Sequence, residues 1–179
     1  RRRGDHEARR ARDPLVMDAD DVLAVLRVLD GAGVGYRLDG GWGVDALVGS
    51  ETRQHLDLDL VVGRGDLRRI EETLAQLGFT PDAAAEPGLP ARLALRARDG
   101  RQVDLHPVVF DKTGDAWQEL GGGEWGRYPA AGLDGWGEVG GRRVRCVTAD
   151  LQLAHHRGYE PDEADGHDVA LLEMLVGER

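Results

Sequence analysis

Residues 55–62, His-Leu-Asp-Leu-Asp-Leu-Val-Val, alternate polar and apolar side chains with a period of two. A helix would scatter these residues around its circumference, whereas a strand sends successive side chains to opposite faces. His55, Asp57 and Asp59 then share one face, and Leu56, Leu58 and Leu60 share the other. The leucine face needs a covering layer and the acid face needs water or a cation, so the chain must fold as a layered domain with a sheet at its centre.

The remaining segments supply the layers. Val22, Val25, Leu26 and Leu29 have the i, i+3, i+4, i+7 spacing of a helix with one buried face, predicting a helix over 18–32 capped by Asp18 or Asp20. A short strand over 34–38 runs into Gly40-Gly41, and a second helix follows over 42–48, closed by Gly49. Gly63 and Gly65 end the central strand, and Asp66 is placed to cap a third helix carrying Leu67, Ile70, Leu74 and Leu77. Residues 80–90 read as a loop. Strands over 91–97 and 101–109 flank Asp99-Gly100, a strong hairpin signal, and in the second of them Asp104 and His106 share a face opposite Val103 and Leu105. Residues 111–142 are dense in glycine, carry Trp117, Trp125 and Trp136, and read as irregular with a short helix near Trp117. Helical spacing returns at Leu151, Ala154 and His155, and again at Val169, Leu172 and Leu175.

This order predicts an α/β or α+β domain: a small mixed β-sheet flanked by helices, with further helices toward the C-terminus. Three segments are expected: an arginine-rich flexible leader over 1–16, a core over 17–110, and a glycine- and tryptophan-rich region with a helical segment over 111–179, packed on that core.

Composition narrows the function. The chain has 179 residues and a formal net charge of −10, and because residues 1–13 hold six arginines against three acids, the remainder carries about −13. So acidic a body repels a polyanion, which argues against nucleic acid as substrate and favours cationic small molecules. No apolar run approaches the roughly 18 residues of a spanning helix and none marks a secretory signal, so no membrane partner is expected and the cytoplasm is the expected compartment. One cysteine, Cys146, offers neither an intrachain disulfide nor a thiolate metal set.

Alternation alone is what any half-buried strand shows, but three features make the acid face more specific. Gly40-Gly41 lies between a strand and a helix, where bare backbone amides at a helix N-terminus hold phosphate. Asp57 and Asp59, two apart on one strand, stand roughly 6 to 7 Å apart at Cα, a bite suited to two divalent ions about 3.5 to 4 Å apart. Asp104, on a separate strand, completes a three-carboxylate cluster if the strands are neighbours. Two unit charges at 4 Å repel by about 4 kcal/mol at an effective dielectric near 20, so such a cluster calls for a cation. All-oxygen donors favour magnesium.

Gly40-Gly41-Trp42, Thr52-Arg53-Gln54-His55, Asp57-x-Asp59 and Val103-Asp104-Leu105-His106-Pro107 together resemble the nucleotidyltransferase fold of the DNA polymerase β superfamily. Within it the chain is most similar to the small antibiotic nucleotidyltransferases acting on lincosamides, and next to the aminoglycoside 2''-nucleotidyltransferases. Arg143-Val144-Arg145-Cys146, His156-Arg157-Gly158-Tyr159-Glu160 and His167-Asp168 resemble the C-terminal part of the lincosamide enzymes. The resemblance implies that Asp57, Asp59 and Asp104 are catalytic and hold magnesium, two ions being expected, with Asp104 sharing a metal or taking the acceptor's proton. It implies that Gly40, Gly41, Arg53 and His55 bind the triphosphate of ATP or another nucleoside triphosphate. The reaction it implies moves a nucleotide monophosphate, AMP above all, to a hydroxyl of an antibiotic and releases pyrophosphate. The protein is expected to work as a monomer or homodimer. Two alternatives stay open from sequence: a protein-modifying transferase of the toxin-antitoxin kind, and a nucleotide-binding protein without catalysis.

Overall fold

A computed structural model describes residues 16–156 and 163–177. Residues 1–15 of the leader expected over 1–16, and the motif residues Arg157, Gly158, Tyr159 and Glu160, lie outside the described residues. Among the described residues, nine strands form one mixed sheet, accompanied by five α-helices.

The first helix, α1 (Ala19–Gly31), starts at a reciprocal capping box: the Asp21 amide donates to Asp18 at 3.0 Å and the Asp18 amide donates to Asp21 at 3.3 Å. Its Val22, Val25, Leu26 and Leu29 are all buried, as the spacing predicts. β1 (Tyr36–Asp39) leads directly into α2 (Gly40–Val48), and β2 (Asp57–Gly63) carries the alternating run. The strand begins at Asp57, not His55, which instead forms an isolated bridge with Met17. α3 (Leu67–Leu74) follows a short 3-10 turn, and Asp66 makes no cap hydrogen bond to it; the carboxylate lies 3.7 Å from Arg69 instead.

β3 (Thr80–Pro81) is a two-residue strand inside the segment expected to be loop, and it pairs with β4 (Leu93–Arg96). β4 and β5 (Gln102–Phe110) are antiparallel across the Asp99-Gly100 turn.

The larger departure concerns residues 111–142. They are not irregular, and Trp117 is in no helix: β6 (Ala116–Gly121), β7 (Glu124–Tyr128), β8 (Gly135–Val139) and β9 (Arg142–Cys146) form two antiparallel hairpins that join the same sheet. Gly121 to Gly123 and Gly140-Gly141 make the hairpin turns, while Gly126, Gly135 and Gly137 lie within the five- or six-residue strands that pair. The sheet is therefore not small. Its order is β3-β4-β5-β2-β1-β9-β8, with β6 on the far end of β5 and β7 on β6. α4 (Ala149–His156) and α5 (Glu163–Gly177) complete the chain.

The main core forms on the leucine face. Leu58 and Leu60 of β2, Leu38 of β1 and Val103 and Leu105 of β5 are fully buried in one cluster with Val22, Leu26 and Leu29 of α1 and Ile70 and Leu74 of α3. Burying each such side chain stabilises the fold by roughly 1.5–3 kcal/mol, enough together to offset a crowded row of acids on the opposite face. A separate cluster, Val44 of α2 with Ala149, Leu153 and Leu172, ties the two C-terminal helices to α2. Among the described residues no helix is long and apolar enough to cross a membrane.

Candidate active site

The register of three strands decides the geometry. β1 and β2 are antiparallel with Asp39 opposite Asp59, and β2 and β5 are parallel with Asp59 opposite Asp104. Cross-strand partners share a face and neighbouring strands lie about 4.7–4.9 Å apart, so Asp39, Asp59 and Asp104 form a row across the sheet, with Asp57 one step along β2.

These carboxylates are not solvated surface acids. Asp104 is buried, and its two oxygens accept from the Gln102 amide at 3.0 Å each while Arg92 stands at 3.5 Å. Burial and the charge of Asp59 nevertheless raise its pKa above the carboxylate range. Asp39 is raised by burial and by Asp59, against the opposing pull of His106. His106 Nε2 donates to Asp59 Oδ1 at 2.9 Å. Burial works against charge on that imidazole, but the Asp59 hydrogen bond and the surrounding acids outweigh it and raise its pKa.

Asp57 is pushed up to about 6, first by burial and then by the charges of Asp59 and Asp104. A carboxyl whose folded pKa exceeds its unfolded value of about 3.9 stabilises the fold fully below about pH 4 and loses that contribution as pH rises through its folded pKa. The metal-free protein should therefore lose melting temperature between about pH 4 and 6, the interval between the unfolded and folded pKa values. Asp57→Asn should flatten that slope in a pH series of thermal melts; identical slopes would contradict the assignment.

The glycine turn sits against the same row. Asp39 caps α2 by accepting from the Gly40 amide at 3.0 Å. Gly40 has φ +56, and a Cβ there would collide with the Asp59 carboxylate; a Cβ at Gly41 would collide with Arg53 Nη2 and His55 Nδ1. Both neighbours are themselves held. His55 is buried, donates from Nε2 to Asp45 Oδ2 at 2.6 Å and packs its ring 4.8 Å from that of Trp42. Burial favours a raised Asp45, but hydrogen bonds from His55 and Thr52 win and hold its pKa below the usual range. Arg53 is gripped by Asp168 of α5. His55 thus lies beneath the glycine pair and off the open carboxylate face that alternation alone assigned it.

A cavity of about 280 Å³ opens beside Gly40 and Asp59, lined further by Asp39, His106, Gln118, Tyr128, Gln152 and His155. Tyr128 donates to Gln118 at 3.0 Å, and Gln118 donates to the Ala91 carbonyl at 2.8 Å. Gln152 is buried, and its Oε1 has no hydrogen-bond partner among the described residues.

The sequence model of aminoglycoside-2''-adenylyltransferase matches residues 21–172, a span that holds the glycine pair, all four acids and the β2–β5 ladder. The chain belongs to the aminoglycoside-2''-adenylyltransferase family. A lincosamide resistance protein of Staphylococcus haemolyticus is 27% identical over 158 residues, covering 87% of this chain and 94% of that protein. The crystal structure of the lincosamide antibiotic adenylyltransferase LnuA with lincomycin bound superposes with a TM-score of 0.76 at 25% identity, over 87% of this chain and 96% of its own. The solution structure of the antibiotic-resistance factor ANT(2'')-Ia, at 19% identity, shares the fold with a TM-score of 0.72 over 90% of this chain and 87% of its own. The resemblance read from the glycine and aspartate motifs is borne out, and this family member is an enzyme of the nucleotidyltransferase class.

The acid row has the donor chemistry of a divalent-cation site. The donor set fits magnesium: the row offers only oxygen, and the charge of Asp59 raises the pKa of Asp57 and Asp104, as a neighbouring charge lacking a counter-ion does. Among the described residues, though, no three His, Cys, Asp or Glu side chains stand close enough together to grip an ion as they are, Asp104 being turned to Gln102 and Arg92. Alternation singles out neither Asp39 nor Asp45. Asp39 was legible by another signal, an acid directly before the glycines that open a helix; the pairing of Asp45 with His55 has no local signature.

Proposed function

We propose that the protein transfers the adenylyl group of ATP to a hydroxyl of a lincosamide or aminoglycoside antibiotic, releasing pyrophosphate. The observation that carries this reading is the register that sets Asp59 opposite Asp104 beside the Gly40 turn. The names of the relatives, a lincosamide resistance protein and an adenylyltransferase that binds lincomycin, support the acceptor class.

Asp57, Asp59 and Asp104 would hold magnesium, which when bound neutralises the triphosphate and the leaving pyrophosphate. The Gly40 and Gly41 amides at the start of α2 would bind phosphate oxygens, Gly40 on release of its hydrogen bond to Asp39. Asp104, buried and raised in pKa, takes the proton of the acceptor hydroxyl as its oxygen bonds to the α-phosphorus and the bond to pyrophosphate breaks. The cavity beside Asp59 receives the acceptor, since Asp39, Asp59 and the Gln152 amide oxygen present acceptor atoms suited to hydroxyl and amine donors.

The test is incubation with ATP, magnesium and a panel of lincosamides and aminoglycosides, read by mass spectrometry. A drug that gains the mass of one adenylyl group supports the reading; no product from any drug overturns the acceptor assignment.

A further inference from the structure

An ion pair spanning most of the chain holds the loop beneath the glycine turn. Arg53 Nε and Nη2 donate to Asp168 Oδ1 and Oδ2 at 2.9 and 2.6 Å, a two-point grip between residues 115 apart in sequence. The Asp168 side chain is 3% exposed and that of Arg53 27%. Next to it on α5, His167 Nε2 lies 3.0 Å from Thr52 Oγ1, and Thr52 is in turn bound to Asp45 of α2. The Arg53 Nη2 that Asp168 holds is the atom against which a Cβ on Gly41 would collide.

A guanidinium–carboxylate pair whose carboxylate is buried is a poor device for stability alone, because the cost of desolvation consumes much of the attraction. It is a good device for aim, since two parallel hydrogen bonds fix the plane of the guanidinium. The charge balance separates the two ways in which Arg53 could serve a phosphate. Asp168 cancels the positive charge, so if attraction were all that mattered Asp168 would oppose nucleotide binding. If the direction of the remaining N–H groups matters, Asp168 supports it.

We infer that Asp168 is a positioning residue for the nucleotide: it locks the Arg53 guanidinium against Gly41, so that α5 completes the triphosphate-binding turn. This inference rests on the reading of Gly40-Gly41 as a phosphate cradle.

The test compares wild type, Asp168→Asn, Arg53→Lys and the double variant by three measurements. These are calorimetric titration with ATP and magnesium without acceptor, nucleotide KM and kcat with acceptor, and melting temperature. Asp168→Asn should weaken ATP binding and raise nucleotide KM by about tenfold, the scale of one charge-assisted hydrogen bond, with kcat within about threefold. Arg53→Lys keeps the charge and loses the fork, so it should do the same, and the double variant should be no worse than either single one. ATP affinity that is unchanged or tighter in Asp168→Asn overturns the inference, as does a lowered melting temperature with no change in nucleotide binding. Should Asp168→Asn fail to fold, Arg53→Lys decides alone, and unchanged affinity there overturns it. A wild type that binds no ATP removes the phosphate reading and this inference together, whereas a wild type that binds ATP beside unaffected variants removes the inference only.

Discussion

Asp59→Asn is expected to lower adenylyl transfer by at least about 10³-fold, because the charge stabilisation a bound metal supplies amounts to several kcal/mol and each 1.4 kcal/mol is a factor of ten. The same change should leave the melting temperature of the metal-free protein level or higher. Asp59 stands in the middle of the row, and its charge raises the pKa of Asp39, Asp57 and Asp104 alike. Removing it relieves repulsion on three neighbours at the loss of one ion pair, that to His106. A variant retaining more than about a tenth of wild-type turnover would take Asp59 out of the metal set, since no metal ligand is so dispensable. A pronounced drop in melting temperature would show that the row is a structural network instead.

Gly41→Ala should weaken ATP binding by more than about tenfold and lower stability by about 1–3 kcal/mol, the range for overpacking a filled site. For a chain of this size that is about 2–4 °C of melting temperature per kcal/mol. The new methyl group meets Arg53 Nη2 and His55 Nδ1, and neither can swing away freely, because Asp168 grips the one and Asp45 the other. Gly35→Ala is the control: nothing lies within 4 Å of a Cβ at that position. Equal ATP affinity and melting temperature in Gly41→Ala and wild type would show that the turn has slack and that the close approach of Arg53 is incidental.

The central layer was legible because its signals are local. Leu58 and Leu60 alternate with Asp57 and Asp59 on one short segment, and the α1 face repeats Val22, Val25, Leu26 and Leu29 at one spacing, so covering β2 with α1 follows from the chain itself. The β6–β9 region was not legible, because glycine both breaks strands and turns hairpins. Glycine density alone does not tell the two apart; pairing Ala116 with Tyr128 or Val139 with Arg142 is a tertiary fact. The site divides in the same way. The Asp57 and Asp59 pair and the glycine pair are visible in sequence, and so is Asp104 as an acid on a separate strand. That Asp59 faces Asp104 depends on a parallel register joined through α3 and β4. The grip of Asp168 on Arg53 depends on where α5 docks, which no periodicity encodes.

Residues 52 to 55 are anchored from both flanks of the chain: the Met17 amide donates to the His55 carbonyl at 2.8 Å on one side, and α5 reaches Thr52 and Arg53 on the other. Substitutions at Met17 or in α5 thus bear on the segment beneath the glycine pair through these contacts.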